Sequence, residues 1–210
     1  MPRRIESHML EGPVGPLEAL LEEPEEGVLR EACLVLHPHP LYGGTMHNKV
    51  VYRMARGMRR TGAVVLRFHF RGVGRSGGKH DQGVGEVDDA RAALDWLRAR
   101  YPDLPYSLAG FSFGSRVALQ LGCSLPSVVR VIAVGLPTRP GMAEFVATCT
   151  AAKVFIQSTN DEHGPQPALE ALYAQAAEPK QLHWVPGGDH FFTGVLDQLE
   201  DAVVSAVTER

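Results

Sequence analysis

Apolar residues along this chain fall into short continuous runs, separated by longer stretches in which they recur every three to four positions. Continuous runs mark strands covered on both faces, and the longer spacing marks helices that bury one side. The runs predict strands at Ala32 to Leu36, Ala63 to Phe70, Tyr106 to Ala109, Val128 to Val134, Ala152 to Gln157 and Gln181 to Val185. Two further strands, Ile5 to Leu10 and Pro16 to Leu21, flank the turn-forming Glu11-Gly12-Pro13-Val14-Gly15 and read as an antiparallel pair. Helical spacing runs from Asn48 to Arg60, with Val50, Val51, Met54 and Met58 on one side, and from Glu86 to Arg100 through Val87, Ala90, Ala93, Leu94 and Leu97. Three more helices are expected: from just after Ser112 to about Gly122, from Ala168 to Ala177, and from about Val195 to Val207. Buried strands alternating with helices imply an α/β fold, a mostly parallel sheet with helices on both faces. No linker or internal repeat interrupts the pattern, so residues 1–210 are expected to form one domain.

In an open parallel sheet, ligands bind beyond the carboxyl ends of the strands. The polar and glycine-rich loops at those ends here hold His37 and His39, Ser112, Asp161 and Glu162, and His190. Ser112 lies in Gly110-Phe111-Ser112-Phe113-Gly114, where a strand passes into a helix with almost no loop. Such a turn strains the serine and raises its hydroxyl beside a helix N-terminus, whose free N–H groups favour developing negative charge. A nucleophilic serine needs a base for its proton and a carboxylate to orient that base. The chain order Ser112, Asp161, His190 is the one this type of turn leads us to expect, with each residue just past a predicted strand. Glu162 is the rival carboxylate, set one residue farther from the strand end. Asp189 adjoins His190, but neighbouring loop side chains tend to diverge, which makes it a poor orienter.

Two other patterns lead elsewhere and are set aside. Gly72-Val73-Gly74-Arg75-Ser76-Gly77 matches the dinucleotide fingerprint and follows a strand, yet no helix opens on it and no strand-end acid follows at the required distance. His37, His39 and His47 share a loop, but their spacing fits no metal signature, and prolines stiffening that loop are the simpler purpose. No cofactor and no metal is expected.

Composition narrows the partners. The chain has 210 residues with 44% hydrophobic and 21% charged residues, and a formal net charge of −3, which gives no reason to expect nucleic acid. No apolar run approaches the roughly 18 residues that span a bilayer, and no apolar segment follows the basic start of the chain. Of three cysteines, Cys33 and Cys123 lie in apolar segments and read as buried free thiols, in keeping with a reducing cytoplasm. The expectation is a cytoplasmic monomer or homodimer acting on a small molecule.

With these residues in view, the chain resembles the α/β-hydrolase superfamily, and within it a small, lid-less bacterial subgroup. The resemblance runs from about Ala32 to the C-terminus. It rests on His37-Pro38-His39-Pro40-Leu41-Tyr42-Gly43-Gly44-Thr45-Met46-His47-Asn48-Lys49, Phe68-His69-Phe70-Arg71-Gly72-Val73-Gly74-Arg75-Ser76, Gly110-Phe111-Ser112-Phe113-Gly114 and Asp189-His190-Phe191-Phe192. It implies Ser112 as nucleophile, His190 as general base and Asp161 as the orienting acid. It also implies an oxyanion hole pairing the N–H of Phe113 with one from the loop after Leu36. His39 or Leu41 can supply that N–H; Pro38 and Pro40 cannot, because proline has none. Relatives often carry Asn or Asp where this chain has His69, and here a histidine, His163, stands beside the acid loop. Pro137 to Thr150 is too short for a helical lid, so an open site is expected. The implied activity is that of an esterase or thioesterase on small acyl substrates through an acyl-enzyme. A silent scaffold for ligand or protein binding, a peptidase and a cofactor-free haloperoxidase are the alternatives on the same site.

Overall fold

Alternate residues of the central strands serve two separate cores, which is why those strands read as continuous apolar runs. A computed structural model describes residues 4–24, 26–139 and 141–208. Its strands are β1 (Ile5–Gly12), β2 (Gly15–Glu22), β3 (Glu31–Leu36), β4 (Ala63–Phe68), β5 (Tyr106–Phe111), β6 (Val128–Val134), β7 (Ala152–Ser158) and β8 (Lys180–Val185). Its helices are α1 (Lys49–Arg60), α2 (Val84–Arg100), α3 (Phe113–Cys123), α4 (Met142–Ala147), α5 (Gln166–Gln175) and α6 (Leu196–Thr208). In β3, Ala32, Leu34 and Leu36 face a core shared with α2, α3, α4 and α5. Cys33 and Val35 face the other core, under α1 and α6. Helices therefore cover both faces, as the run pattern implies.

The eight strands form one sheet in the order β1-β2-β4-β3-β5-β6-β7-β8. The β1–β2 and β2–β4 pairs are antiparallel. From β4 through β3 to β8 every pair is parallel. This is a single-domain α/β-hydrolase fold. The strand order reverses at β3, which has β4 on one side and β5 on the other, so the exit loops of β3 and β5 flank a crevice where ligands bind.

Three local features differ from the sequence reading. β4 stops at Phe68, before the expected Phe70. The His69 N–H still donates to the Glu18 carbonyl of β2 at 2.8 Å, but the Glu18 N–H turns to the Ser76 hydroxyl at 2.9 Å and the Phe70 N–H to His37 Nε2 at 3.0 Å, so regular pairing ends at Phe68. α4 was not expected. It has six residues and buries only Met142 and Val146, too few to show a helical repeat. The reading of Cys123 as a free thiol is corrected: Cys123, the last residue of α3, is disulfide-bonded to Cys149, with Cα atoms 4.7 Å apart. α4 folds back against α3 and brings together residues 26 apart in sequence, a meeting that no cysteine spacing reveals. Cys33 is free and buried, and desolvation pushes its thiol up to about 12. The cysteines thus no longer argue for a reducing compartment. Among the described residues, no helix is long and apolar enough to cross a membrane.

Candidate active site

Ser112 stands between β5 and α3 at φ 55° and ψ −118°, a conformation that costs a non-glycine residue about 1–3 kcal/mol. The turn is held by the Ser112 N–H, which donates to the Val134 carbonyl at 2.9 Å, and by two glycines. A Cβ on Gly110 would come within 2.1 Å of the Gly114 carbonyl oxygen. One on Gly114 would come within 2.5 Å of the Leu36 carbonyl oxygen and 2.6 Å of that of His37. Any side chain at position 114 would therefore push the β3 exit loop off the first turn of α3.

His190 comes from the loop after β8, and its Nε2 lies 2.9 Å from the Ser112 hydroxyl oxygen. Its Nδ1 lies 3.0 and 2.9 Å from the two carboxylate oxygens of Asp161. A carboxylate only accepts, so Nδ1 carries the hydrogen, and Nε2 of the neutral ring is left to accept the serine proton. The His190 and Asp161 side chains are 4% and 0% exposed. The histidine loop is fastened from below: the Ser158 hydroxyl donates to the Gly188 carbonyl and, at 2.9 Å, to that of Asp189.

Asp161 is held by more than the imidazole. Its Oδ1 accepts the N–H groups of His163 and Gly164 at 2.8 and 3.1 Å, and its Oδ2 accepts Gln157 Nε2–H at 2.9 Å. Gln157 also receives the Leu136 N–H at 2.8 Å and donates to the Gly164 carbonyl at 3.0 Å, tying the ends of β6 and β7 to the acid. Neither rival carboxylate faces His190. The Glu162 side chain is 60% exposed and lies 3.8 Å from His163. Asp189 caps its own loop, accepting the N–H groups of Phe191 and Thr193 at 2.9 and 3.0 Å, which hold its carboxyl below the usual range.

Phe113 is the first residue of α3, where an N–H has no acceptor within the helix. Across from it, the β3 exit loop is wound around His39, whose carbonyl accepts the N–H groups of Tyr42 and Gly44 at 3.1 and 3.0 Å. The His39 ring lies over that of Phe113 with centroids 5.0 Å apart. Its N–H makes no hydrogen bond to a described residue, whereas the Leu41 N–H donates to His39 Nδ1 at 3.2 Å. His37 is buried beneath the loop. Desolvation lowers its pKa to about 3, and the neutral ring donates from Nδ1 to the Pro38 carbonyl at 2.6 Å while Nε2 accepts from Phe70. Its task is to fix the loop.

The glycine-rich stretch after β4 is also occupied internally. The Ser76 hydroxyl donates to the His69 carbonyl at 2.7 Å and accepts the Glu18 N–H at 2.9 Å, while α2 opens only at Val84. His69 Nδ1 faces Glu18 at 3.2 Å. Among the described residues, no group of three or more His, Cys, Asp or Glu side chains is placed to hold a metal ion.

These residues open onto a cleft of about 370 Å³ lined by Ser112, Phe113, His39, His163 and His190, with the exposed Tyr42 and Phe191 among its walls. Arg116 and Arg139 also line it, and sequence reasoning passed over both, as it did Gln157. Gln157 had a legible signal: an amide at the end of the buried run Val154-Phe155-Ile156 must find partners. The arginines had none, because scattered surface arginines look alike in sequence.

Similarity to known proteins places the fold in a family. An uncharacterised protein of Rickettsia prowazekii is 39% identical over 81% of this chain and 76% of its own length. An α/β serine hydrolase homologue from Coxiella burnetii superposes with a TM-score of 0.92 at 35% identity, over 97% of both chains. A lid-less α/β serine hydrolase from Xanthomonas campestris gives a TM-score of 0.88 at 35% identity, over 99% of this chain and 95% of that one. Residues 32–201 match the model of an α/β-hydrolase domain family. With that match reaching from β3 into α6, the chain belongs to the α/β-hydrolase family.

Proposed function

We propose that this α/β hydrolase cleaves small carboxylic esters or thioesters through an acyl-enzyme on Ser112. The observation that carries the reading is the unbroken line of contacts from the Ser112 hydroxyl through both nitrogens of His190 to Asp161. In the first step His190 Nε2 takes the hydroxyl proton as Ser112 Oγ attacks the acyl carbon. Asp161 holds the ring in the required tautomer and stabilises the imidazolium. The N–H groups of Phe113 and His39 receive the oxyanion, and such donors are typically worth about 2.7–4 kcal/mol each. His190 then protonates the leaving alcohol or thiol. Water enters, gives its proton to His190 and attacks the acyl-enzyme, releasing the acid and regenerating Ser112. None of these steps requires a cofactor. The Cys123–Cys149 disulfide leaves the compartment open, and the reading needs no partner beyond the substrate.

Two features favour short acyl chains. Among the described residues, only the six-residue α4 lies between β6 and β7, and no further helix is inserted there to cover the cleft. Faster turnover of 4-nitrophenyl acetate or butyrate than of long-chain esters is therefore expected. The deciding test is fluorophosphonate labelling followed by intact-protein mass measurement on wild type and Ser112→Ala. One adduct on wild type and none on the variant supports an activated serine. No adduct on folded wild type would overturn the reading in favour of a silent binding scaffold.

A further inference from the structure

The cleft carries a charge pattern that the whole chain does not. The protein has a formal net charge of −3, yet the cleft is lined by Arg116, Arg139 and three histidines, with no Asp or Glu. Arg116 stands one helical turn beyond Ser112 on α3, its backbone N–H reaching the Ser112 carbonyl at 3.4 Å. Arg139 follows β6 and lines the same cleft. Most other described arginines meet carboxylates, among them Arg53 with Asp197 and Glu200, Arg67 with Glu22, Arg71 with Asp89, and Arg130 with Glu31. Arg116 and Arg139 make no ion pair and no side-chain hydrogen bond with a described residue.

The nearby acids do not neutralise them. Glu144 lines the shallow hollow on the α4 side of Arg116 but is not within ion-pair distance. Glu86, buried behind the cleft, is engaged by His80 at 2.8 Å and by the N–H groups of Asp81 and Gly83 at 2.9 and 2.8 Å. Asp161 lies behind His190. Arg116 is partly desolvated and sits in the field of Arg139; both effects disfavour its charge, yet a guanidinium stays protonated. A half-buried cation and an exposed one that repel each other, beside the Ser112 hydroxyl, lack only an anion to complete the arrangement.

We propose that the substrate carries an oxyanion, a carboxylate or phosphate, which Arg116 and Arg139 hold while its acyl carbon meets Ser112. The planar fork of each guanidinium suits either anion and fixes orientation as well as charge. Tyr42 and Phe191 supply apolar wall for the stretch between anion and ester. The inference rests on the Ser112 reading for its chemistry, but anion binding does not depend on catalysis, and the test uses that.

The test has two arms. In the first, wild type, Arg139→Gln, Arg116→Gln and the double variant hydrolyse mono-4-nitrophenyl adipate and 4-nitrophenyl hexanoate at low and high salt. Wild type is expected to prefer the charged ester by roughly tenfold in kcat/KM, mainly through KM, and added salt should erode that preference. The ratio of the two rates should fall toward unity in the double variant, and Arg116→Lys should restore part of it. In the second arm, calorimetry follows monomethyl adipate and 2-acetoxyethyl phosphate binding to Ser112→Ala, with dimethyl adipate as the uncharged control. Either anion binding more tightly than the control, and losing that advantage when both arginines are replaced, supports the proposal and shows which anion is preferred. If neither anion outcompetes the uncharged control, or if the advantage survives the double replacement, the proposal is overturned. Selective binding in proteins that show no turnover and no fluorophosphonate adduct would sink the Ser112 reading and leave the anion site standing.

Discussion

Two buried carboxylates in this protein, Glu22 and Asp161, are equally hidden from water and have opposite consequences. Each has a side chain with 0% exposure and a basic partner at contact distance. Glu22, at the end of β2, meets Arg67 Nε at 2.6 Å and Arg59 Nε at 3.3 Å, joining the antiparallel edge of the sheet to α1. Arg67 spends a further N–H on the Met46 carbonyl at 2.6 Å. Guanidinium does not release a proton, so that cluster is chemically closed. Asp161 faces an imidazole, whose two ring nitrogens can each give or take a proton, and behind that ring stands a hydroxyl open to a cleft. Burial alone does not make a site. What separates the two is a titratable partner with a second nitrogen free to face a reactant.

Replacing the groups one at a time should sharpen that contrast. The largest effect expected is on catalysis: Ser112→Ala should lower kcat on 4-nitrophenyl acetate on the order of 10⁴–10⁶-fold, and Asp161→Asn about 10⁴-fold, with little change in urea midpoint for the serine variant. Steady-state kinetics on purified variants checks both, and an active Ser112→Ala would break the comparison at its first term. Glu22→Gln should do the reverse. Opening a buried ion pair costs about 3–5 kcal/mol, so its urea midpoint should drop sharply while each folded molecule keeps its kcat. A Glu22→Gln protein of normal stability and lost activity would show that the clusters had been assigned the wrong way round.

A smaller effect tests the loop above the site through pH. The folded-state pKa of His37, about 3, lies below its ordinary value of 6.5. The unfolded chain therefore binds the extra proton first, and the stability due to the neutral ring is complete above about pH 6.5 and lost as pH falls toward 3. Each pH unit in that window should cost up to about 1.4 kcal/mol from this one group. Urea titrations at pH 7 and pH 5 should show that increment in wild type and not in His37→Asn. The smallest effect falls on Gln157. Gln157→Leu keeps the volume but removes the amide that steadies Asp161, so kcat should fall about tenfold at unchanged KM, whereas a merely structural role would lower stability alone. The neighbouring positions Ser158 and Gly164 then become the next to probe.

Most of the fold was legible because each signal is local. The run Ala32 to Leu36 reports a strand buried on both faces from five residues, and the 3.6-residue spacing from Asn48 to Arg60 reports one side of α1. The same locality explains the failures. α4 is shorter than the window in which a helical repeat can be seen. Cys123 sits in an apolar segment whether or not Cys149 is nearby. Strand ends also announced Ser112, Asp161 and His190 as candidates, since a parallel sheet gathers its exit loops on one edge.

Sequence by itself therefore determined the order of the strands and of every described α-helix but α4, the sheet type and the short list of chemically capable residues at strand ends. Tertiary structure decided which of these meet. His190 and Ser112 are 78 residues apart and His190 and Asp161 are 29 apart, and contact at such separations depends on how three loops turn. Those turns favour Asp161 over Glu162 and Asp189, occupy the Leu41 N–H while leaving that of His39 without a described partner, and set Arg116 and Arg139 at the cleft. The physical reason is that periodicity records how much of each residue is buried, whereas the direction of a loop side chain is fixed by hydrogen bonds to distant backbone. Gln157 and Ser158 supply such bonds here, and their partners lie in other loops of the chain.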